Sequence, residues 1–456
     1  MLFSSYHDCN IVLRYCVNVR IWREISGSVV LAVMAAALVL WRYGQLDPRL
    51  FVDQYMNIWF DADIPRVFSN LLNRGFGHGA TFKHPVFSIV GWSIATLLRL
   101  SGFSAHAAIG LMLLVNAALF IILLGQVLRL IGVGFWSSFG FALLALLSVS
   151  FQTFFSIPET FGFGATTLVI ALLPLALRIP LTGSGWWLWM LAAAASLTMT
   201  ITNFLVGFVA VGVGANSRDG ELLPAGIQSR SNVKAVLSIL FSAVVLILIV
   251  ASVQRLTFGG AGMFINVRSL AAETKFVTGV RSPLSDRFST LIIGPVVQSL
   301  PVLPASVIFD HGYLRAGLNA DSASEYDTQT FVAVLLWLLL LATGAWAIIS
   351  DYRHRNVGVA ALASLTAMTL LHLVYGLTVF LYVAHFLPLL IIIAVHSRFV
   401  LGKLLIIPLA ALLLLTGLSS MHFSSRSHFD SANLADQIEL AAKSNLLGSK
   451  FVEGGK

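Results

Sequence analysis

Apolar runs of about 15 to 25 residues, broken by short polar connections, recur along the whole chain. A membrane-crossing helix needs roughly 20 mostly apolar residues. The pattern therefore predicts spans near 26–41, 105–129, 137–156, 160–178, 185–201, 203–216, 234–254, 330–350, 357–376, 378–397 and 402–420, about eleven in all. The run 85–100 is shorter and interrupted by Ser88, Gly91 and Ser93, so it is expected to lie flat in the outer interface. The pair 185–201 and 203–216 is separated only by Thr200-Ile201-Thr202-Asn203. Such a break needs neighbours that satisfy the freed backbone groups. Between 255 and 329 lies a long polar loop, with an apolar stretch at 291–308 broken by three prolines and expected to rest on the membrane. A short amphipathic helix is expected at 432–442 in the tail.

Composition narrows the class. With 58% hydrophobic residues, 11% charged and a mean hydropathy of +0.88, the chain is far from a soluble globule, whose charged share is about 25%. The expected fold is an all-α polytopic membrane protein. One bundle, residues 1–420, includes a first outer loop at 42–104 and the long outer loop at 255–329, and a short outer tail follows at 421–456. The net charge of +8 is scattered between apolar runs, which suits topology signals and lipid or phosphate partners and gives no nucleic-acid patch. Arg14, Arg20 and Arg23 place the N-terminus in the cytoplasm, and no small-residue cleavage site follows the first run, which reads as an uncleaved helix. Counting 85–100 as a span would throw Arg129, Arg178 and the later short basic connections outside. Cys9 and Cys16 lack metal-ligand spacing. With compact loops and no retention signal, the expected location is a bacterial inner membrane.

Chemistry gathers in the first outer loop. Asp61-Ala-Asp63-Ile-Pro-Arg66 leads through Arg74 to Lys83-His84-Pro85. Asp63 before Ile-Pro is a good cap for a helix over Ile64–Leu72. A carboxylate at Asp61 or Asp63 could equally accept the proton of an attacking hydroxyl, and capping would fix its position. Arg66, Arg74, Lys83 and His84 could hold a phosphate, or simply snorkel to headgroups. Glu159, in the tight turn Ile157-Pro158-Glu159-Thr160, either caps the next helix or faces the first loop as a second acid. His385, in Tyr382-Val383-Ala384-His385-Phe386-Leu387-Pro388, is one of few ionisable residues within a span, and Asn203 and Tyr382 are candidate groove residues. Coupled transporters carry ionisable groups near mid-membrane; most of the 20 acidic residues here fall outside the spans. P-loop, zincin and α/β-hydrolase signatures are absent.

Taken in order, a first span, an outer loop with an acidic pair, a juxtamembrane helix, Lys83-His84-Pro85 opening a second one, and Glu159 at the next outer turn resemble the GT-C superfamily of membrane glycosyltransferases. The protein O-mannosyltransferases and lipid A aminoarabinose transferases are the relatives meant. The resemblance covers residues 26–180 and is architectural beyond them. It implies inverting transfer of a sugar from a polyprenyl-phosphate donor to a lipid, glycan or protein acceptor at the outer face. On this resemblance Asp63, with Asp61, is the catalytic carboxylate, Glu159 the second acid, and Lys83-His84-Pro85 the family's Lys-Pro or His-Pro-Pro element with one proline. His385-Phe386-Leu387-Pro388 is similar to a late Arg-Tyr-x-x-Pro, with His for Arg. Some relatives use a divalent cation, Mg or Mn, and others none, so that question stays open here. The competing readings are a transporter or flippase of a lipid-linked glycan, and a noncatalytic subunit of the same fold.

Overall fold

Within the described residues each of the eleven apolar runs is helical, and caps and bends make the breaks described there. The computed structural model describes residues 4–51, 59–60, 62–218, 221–222, 230–266, 296–297, 300, 305–310, 313–318, 328–350, 356–374, 382–419, 436 and 439. Asp61, most of the long loop and nearly all of the tail lie outside these residues.

Six helical stretches are long and apolar enough to cross a membrane: Arg23–Gly44, Ala105–Leu130, Asn232–Thr257, Thr328–Ser350, Asn356–Leu373 and Val383–Ser419. Shorter apolar helices, Phe87–Leu100, Phe135–Leu147, Thr160–Ala176 and Ile201–Ala215, complete an integral membrane bundle. In chain order we label α1 (Ser4–Gly44), α2 (Ile64–Leu72), α3 (Phe87–Leu100), α4 (Ala105–Leu130), α5 (Phe135–Leu147), α6 (Val149–Phe154), α7 (Thr160–Ala176), α8 (Gly185–Met199), α9 (Phe204–Ala215), α10 (Arg230–Thr257), α11 (Thr328–Ser350), α12 (Asn356–Val374) and α13 (Val383–Val395). The run expected at 137–156 splits into α5 and α6 at Ser148, whose hydroxyl donates to Ala145 O and accepts from Phe151 N. After α13 the chain bends through Gly402, which takes φ +56, and continues as a helix over 406–419. A positive φ costs glycine little.

Helix α3 rises only about 21 Å at 1.5 Å per residue, short of the roughly 30 Å hydrocarbon core. Phe87, Ser88, Gly91 and Ala95 are buried, while Val90, Ile94, Leu97 and Leu100 are exposed. An apolar face on one side and protein on the other suits a helix lying along the interface.

The break between α8 and α9 is satisfied from an unexpected direction. Val86 N donates to Thr198 O (3.1 Å), Ile201 N donates to Lys83 O (3.1 Å), and the His84 ring bonds Met199 O. Lys83-His84-Pro85-Val86 thus runs along 198–201 and takes up the groups that the broken helix frees. From the other side Gln254 of α10 clamps the same segment, with Nε2 donating to Pro85 O (2.9 Å) and Oε1 accepting from Ile89 N (3.0 Å).

Two small hairpins add to the helices. β1 (Ser217–Arg218) pairs with β2 (Glu221–Leu222), and β3 (Ala305–Asp310) pairs antiparallel with β4 (Tyr313–Leu318). The end of the 291–308 stretch, expected on the membrane, is therefore strand: the β-branched run Val307-Ile308 favours a pleated partner.

Candidate functional site

Asp63 enters the site as the cap of α2. Its carbonyl accepts from Val67 N (2.9 Å) and Pro65 sits in the first turn. Its carboxylate makes no cap hydrogen bond; it pairs with Arg66 one turn on. The side chains of Asp63 and Arg66 remain 22% and 33% exposed, so both can be reached by a ligand.

Glu159 lies against this pair from α7. It is buried, 3% exposed, and caps α7: Oε1 accepts from Thr160 N (3.0 Å) and from the Thr160 hydroxyl (3.1 Å). Its other oxygen, Oε2, accepts from the backbone N–H of Asp63 at 3.1 Å. Capping and facing the first loop, the two alternatives at the sequence level, are both realised by one carboxylate. Burial pushes Glu159 above the ordinary carboxylate range, against the pull of the Thr160 backbone N–H, Arg66 and the Thr160 hydroxyl. Burial also pushes Arg66 down, with Glu159 opposing.

A narrow cleft beside this junction, with room for about one water, is lined by Arg66, Asn70, Thr81, His84, Ser88 and Thr160. His84 Nδ1 lies 2.6 Å from Met199 O, so the N–H is assigned to Nδ1 and Nε2 keeps its lone pair. Burial pushes His84 down to about 4, Arg66 and Lys83 act in the same direction, and the bond to Met199 resists. At neutral pH the ring is uncharged. A neutral ring whose Nε2 keeps its lone pair can accept a hydrogen bond from a ligand.

Arg74 is placed elsewhere. It sits beyond the far end of α2, about 14 Å along the helix from Asp63 at 1.5 Å per residue, and its Nε donates to Thr257 O (2.7 Å) at the C-terminus of α10. It closes that helix end.

One and a half turns into α7 lies a second polar group. His385 and Asn203 are fully buried, and both nitrogens of His385 and both polar atoms of Asn203 have no hydrogen-bond partner among the described residues. Gly164 brings them together: a Cβ at that position would stand 2.3 Å from His385 Nε2 and 3.0 Å from Asn203 Nδ2. The Phe161 and Tyr382 rings pack around His385 at 5.5 and 6.5 Å, and His372 stacks on Tyr382 at 4.0 Å. His385 is enclosed, so contact with a donor phosphate would require this cluster to open.

The structure thus brings Asp63, Arg66, Glu159 and His84 together, with Lys83 adjoining His84 in the chain and its Nζ over the Phe82 ring, and sets His385, Asn203 and Tyr382 beneath. Sequence reasoning missed Thr160, Asn70 and Ser88, which line the cleft, and Gln254, which clamps it. Only Gln254 left a signal: an uncharged polar residue near the end of a long apolar run. Among the described residues no three His, Cys, Asp or Glu side chains converge as a metal site. Asp63 is tied to Arg66 and both oxygens of Glu159 accept N–H groups, a donor set that fits a divalent cation poorly.

No protein-family model matches the chain, and no curated protein matches it. Two solved structures are similar to it. The crystal structure of the Archaeoglobus fulgidus oligosaccharyltransferase in complex with Zn and sulfate aligns with a TM-score of 0.43 and 12% identity, over 88% of this chain and 53% of that one. The S. cerevisiae protein O-mannosyltransferase Pmt1-Pmt2 complex bound to the sugar donor aligns with a TM-score of 0.39 and 13% identity, over 66% of this chain and 44% of that one. The chain spans about half the length of each.

Proposed function

We propose that the protein transfers a sugar from a polyprenyl-phosphate carrier to an acceptor hydroxyl or amine at the outer face of a bacterial inner membrane, with its N-terminus in the cytoplasm. The observation that carries this reading is the bond from Asp63 N–H to Glu159, which fixes a reachable carboxylate beside a polar cleft and the Arg66 guanidinium. Asp63 accepts the proton of the attacking group. A bond forms from the acceptor to the anomeric carbon while the carbon–oxygen bond to the carrier phosphate breaks, and attack from the opposite face inverts the centre. Arg66 and Lys83 stabilise the phosphate as its charge develops. Glu159 touches no reacting atom; it positions Asp63.

Mass spectrometry of envelope lipids and glycans with and without the gene identifies the missing sugar, and that carrier-linked sugar is then used with purified protein. Asp63→Asn is expected to cut turnover by a factor of about 10² to 10⁴ while inserting normally. Undiminished transfer in this variant would overturn the reading. The enclosed polar atoms of His385 and Asn203 within the bundle favour a second reading, transport of a lipid-linked glycan. Under that reading labelled carrier crosses protein-containing vesicles unchanged and no product forms.

A further inference from the structure

Helix α3 begins without a cap from its own sequence, and the missing bonds come from α10. Val86 stands at the cap position and makes no side-chain cap hydrogen bond. The first backbone bond at this end of α3 runs from Val90 N to Val86 O (3.2 Å). Were the helix wound back by one residue, Ile89 N would bond Pro85 O, its i−4 partner. The amide of Gln254 stands between those two groups instead: Nε2 donates to Pro85 O (2.9 Å) and Oε1 accepts from Ile89 N (3.0 Å). Gln254 is fully buried. Its amide fits in one orientation only, because turned over it would set donor against donor and acceptor against acceptor.

What the amide holds is the frame of the cleft. With Pro85 O engaged, the chain before α3 lies along 198–201, where Val86 N donates to Thr198 O and the His84 ring bonds Met199 O. Released, Pro85 O would take the Ile89 N–H, α3 would gain a residue at its start, and His84 would be drawn off Met199. The outer end of α10 is itself pinned to the first loop. Arg74 Nε donates to Thr257 O, Phe258 stacks on His78 at 4.2 Å and meets Trp92 edge-on at 5.6 Å, and Gly262 N donates to the Thr81 hydroxyl oxygen (2.7 Å). Gln254 therefore projects from a fixed support. We propose that Gln254 is a positioning residue for the glycosyl transfer above, on which this proposal rests. It touches no reacting group; its amide, spliced into the first turn of α3, keeps the His84 ring on Met199 and at the cleft lined by Arg66 and Thr160.

The test is NMR of the full-length protein in nanodiscs with isotope-labelled histidine, the His84 ring signal being identified by its loss in His84→Asn. Gln254→Met keeps the side-chain length and removes both bonds. It is expected to shift the His84 ring signal and to lower turnover of the carrier-linked sugar about 10- to 100-fold, the loss that a misplacement of about 1 Å brings. Gln254→Glu, whose protonated carboxyl can repeat both bonds, should restore signal and turnover in part. Relative to the unaltered protein at the same pH, it should recover more as the pH is lowered, and it carries the test should Gln254→Met fail to fold. Gln329→Met removes another interhelix glutamine, whose Nε2 donates to Leu415 O and the Ser419 hydroxyl (3.2 Å each). It should lower the melting temperature and leave the His84 signal and turnover as they are. The proposal is overturned if Gln254→Met leaves either the His84 signal or turnover unchanged, or if Gln254→Glu loses as much as Gln254→Met at every pH. Asp63→Asn separates the two failures. Its retained transfer would sink the enzyme reading while the His84 signal alone decides whether Gln254 sets the ring, and its lost transfer beside a silent Gln254→Met would sink only the positioning role.

Discussion

The Asp63–Glu159 junction and the His385–Asn203 cluster use similar residue types in opposite ways. At the junction Asp63, Arg66, Glu159 and Thr160 bond one another, and each group is held by a partner. One and a half turns deeper, His385 and Asn203 press against Gly164 with their polar atoms enclosed and unmatched among the described residues. A buried polar atom without a partner costs about 1–3 kcal/mol, whereas a made hydrogen bond contributes about 1 kcal/mol net. The upper layer is therefore built to stay in place. The lower layer is retained at a cost, which is the mark of groups kept for something other than stability.

Four changes probe that contrast. Glu159→Ala strands Thr160 N–H and Asp63 N–H together and is expected to lower stability by about 2–4 kcal/mol and to depress transfer at least tenfold. Glu159→Gln, which keeps one acceptor oxygen and turns an amide N–H toward the other donor, should recover only part of the stability. Thermal unfolding in detergent reports both, and equal melting of the Ala variant and the unaltered protein would remove the junction's structural role.

Gly164→Ala forces a methyl into His385 and should cost about 1–3 kcal/mol. Combining it with His385→Ala should return much of that loss, so a double-mutant cycle with no coupling would show that the two do not press on each other.

The third change is pH. His84 is depressed to about 4 in the fold from an ordinary value near 6.5. The unfolded chain binds the extra proton between these values, so the stability this ring contributes is present above pH 6.5 and is lost as pH falls toward 4. On the order of 1–2 kcal/mol is expected. His84→Asn, which can still donate to Met199 O, should flatten that part of the stability curve; an unaltered slope would refute the assignment.

Smallest is His385→Phe. Removing two unmatched nitrogens should leave stability within about 1 kcal/mol or raise it, while turnover drops if the deeper layer serves transfer. A large loss of stability would mean that the ring is bonded after all.

The upper layer was largely legible in the chain. The capping signal Asp63-Ile-Pro predicts α2 over the residues it occupies, because a cap and a nearby proline act within one turn. Glu159, isolated in a tight apolar turn, signalled a buried role. That it reaches Asp63 depends on α7 packing beside the first loop, a relation between positions 96 residues apart that no local pattern records. That Arg74 bonds the end of α10 is likewise a relation between distant positions. The helix boundaries around Thr200–Asn203 were uncertain for the same physical reason that they matter: their hydrogen bonds are completed by Lys83–Val86.

That last pairing sets an order of events during synthesis. Residues 83–86 leave the ribosome more than a hundred residues before 198–201, so the early loop must wait, hydrated, while the intervening helices enter the bilayer. The pocket consequently takes shape only when the α8–α9 turn arrives, and a nascent chain halted before it would carry the acidic and basic side chains without the frame that aims them.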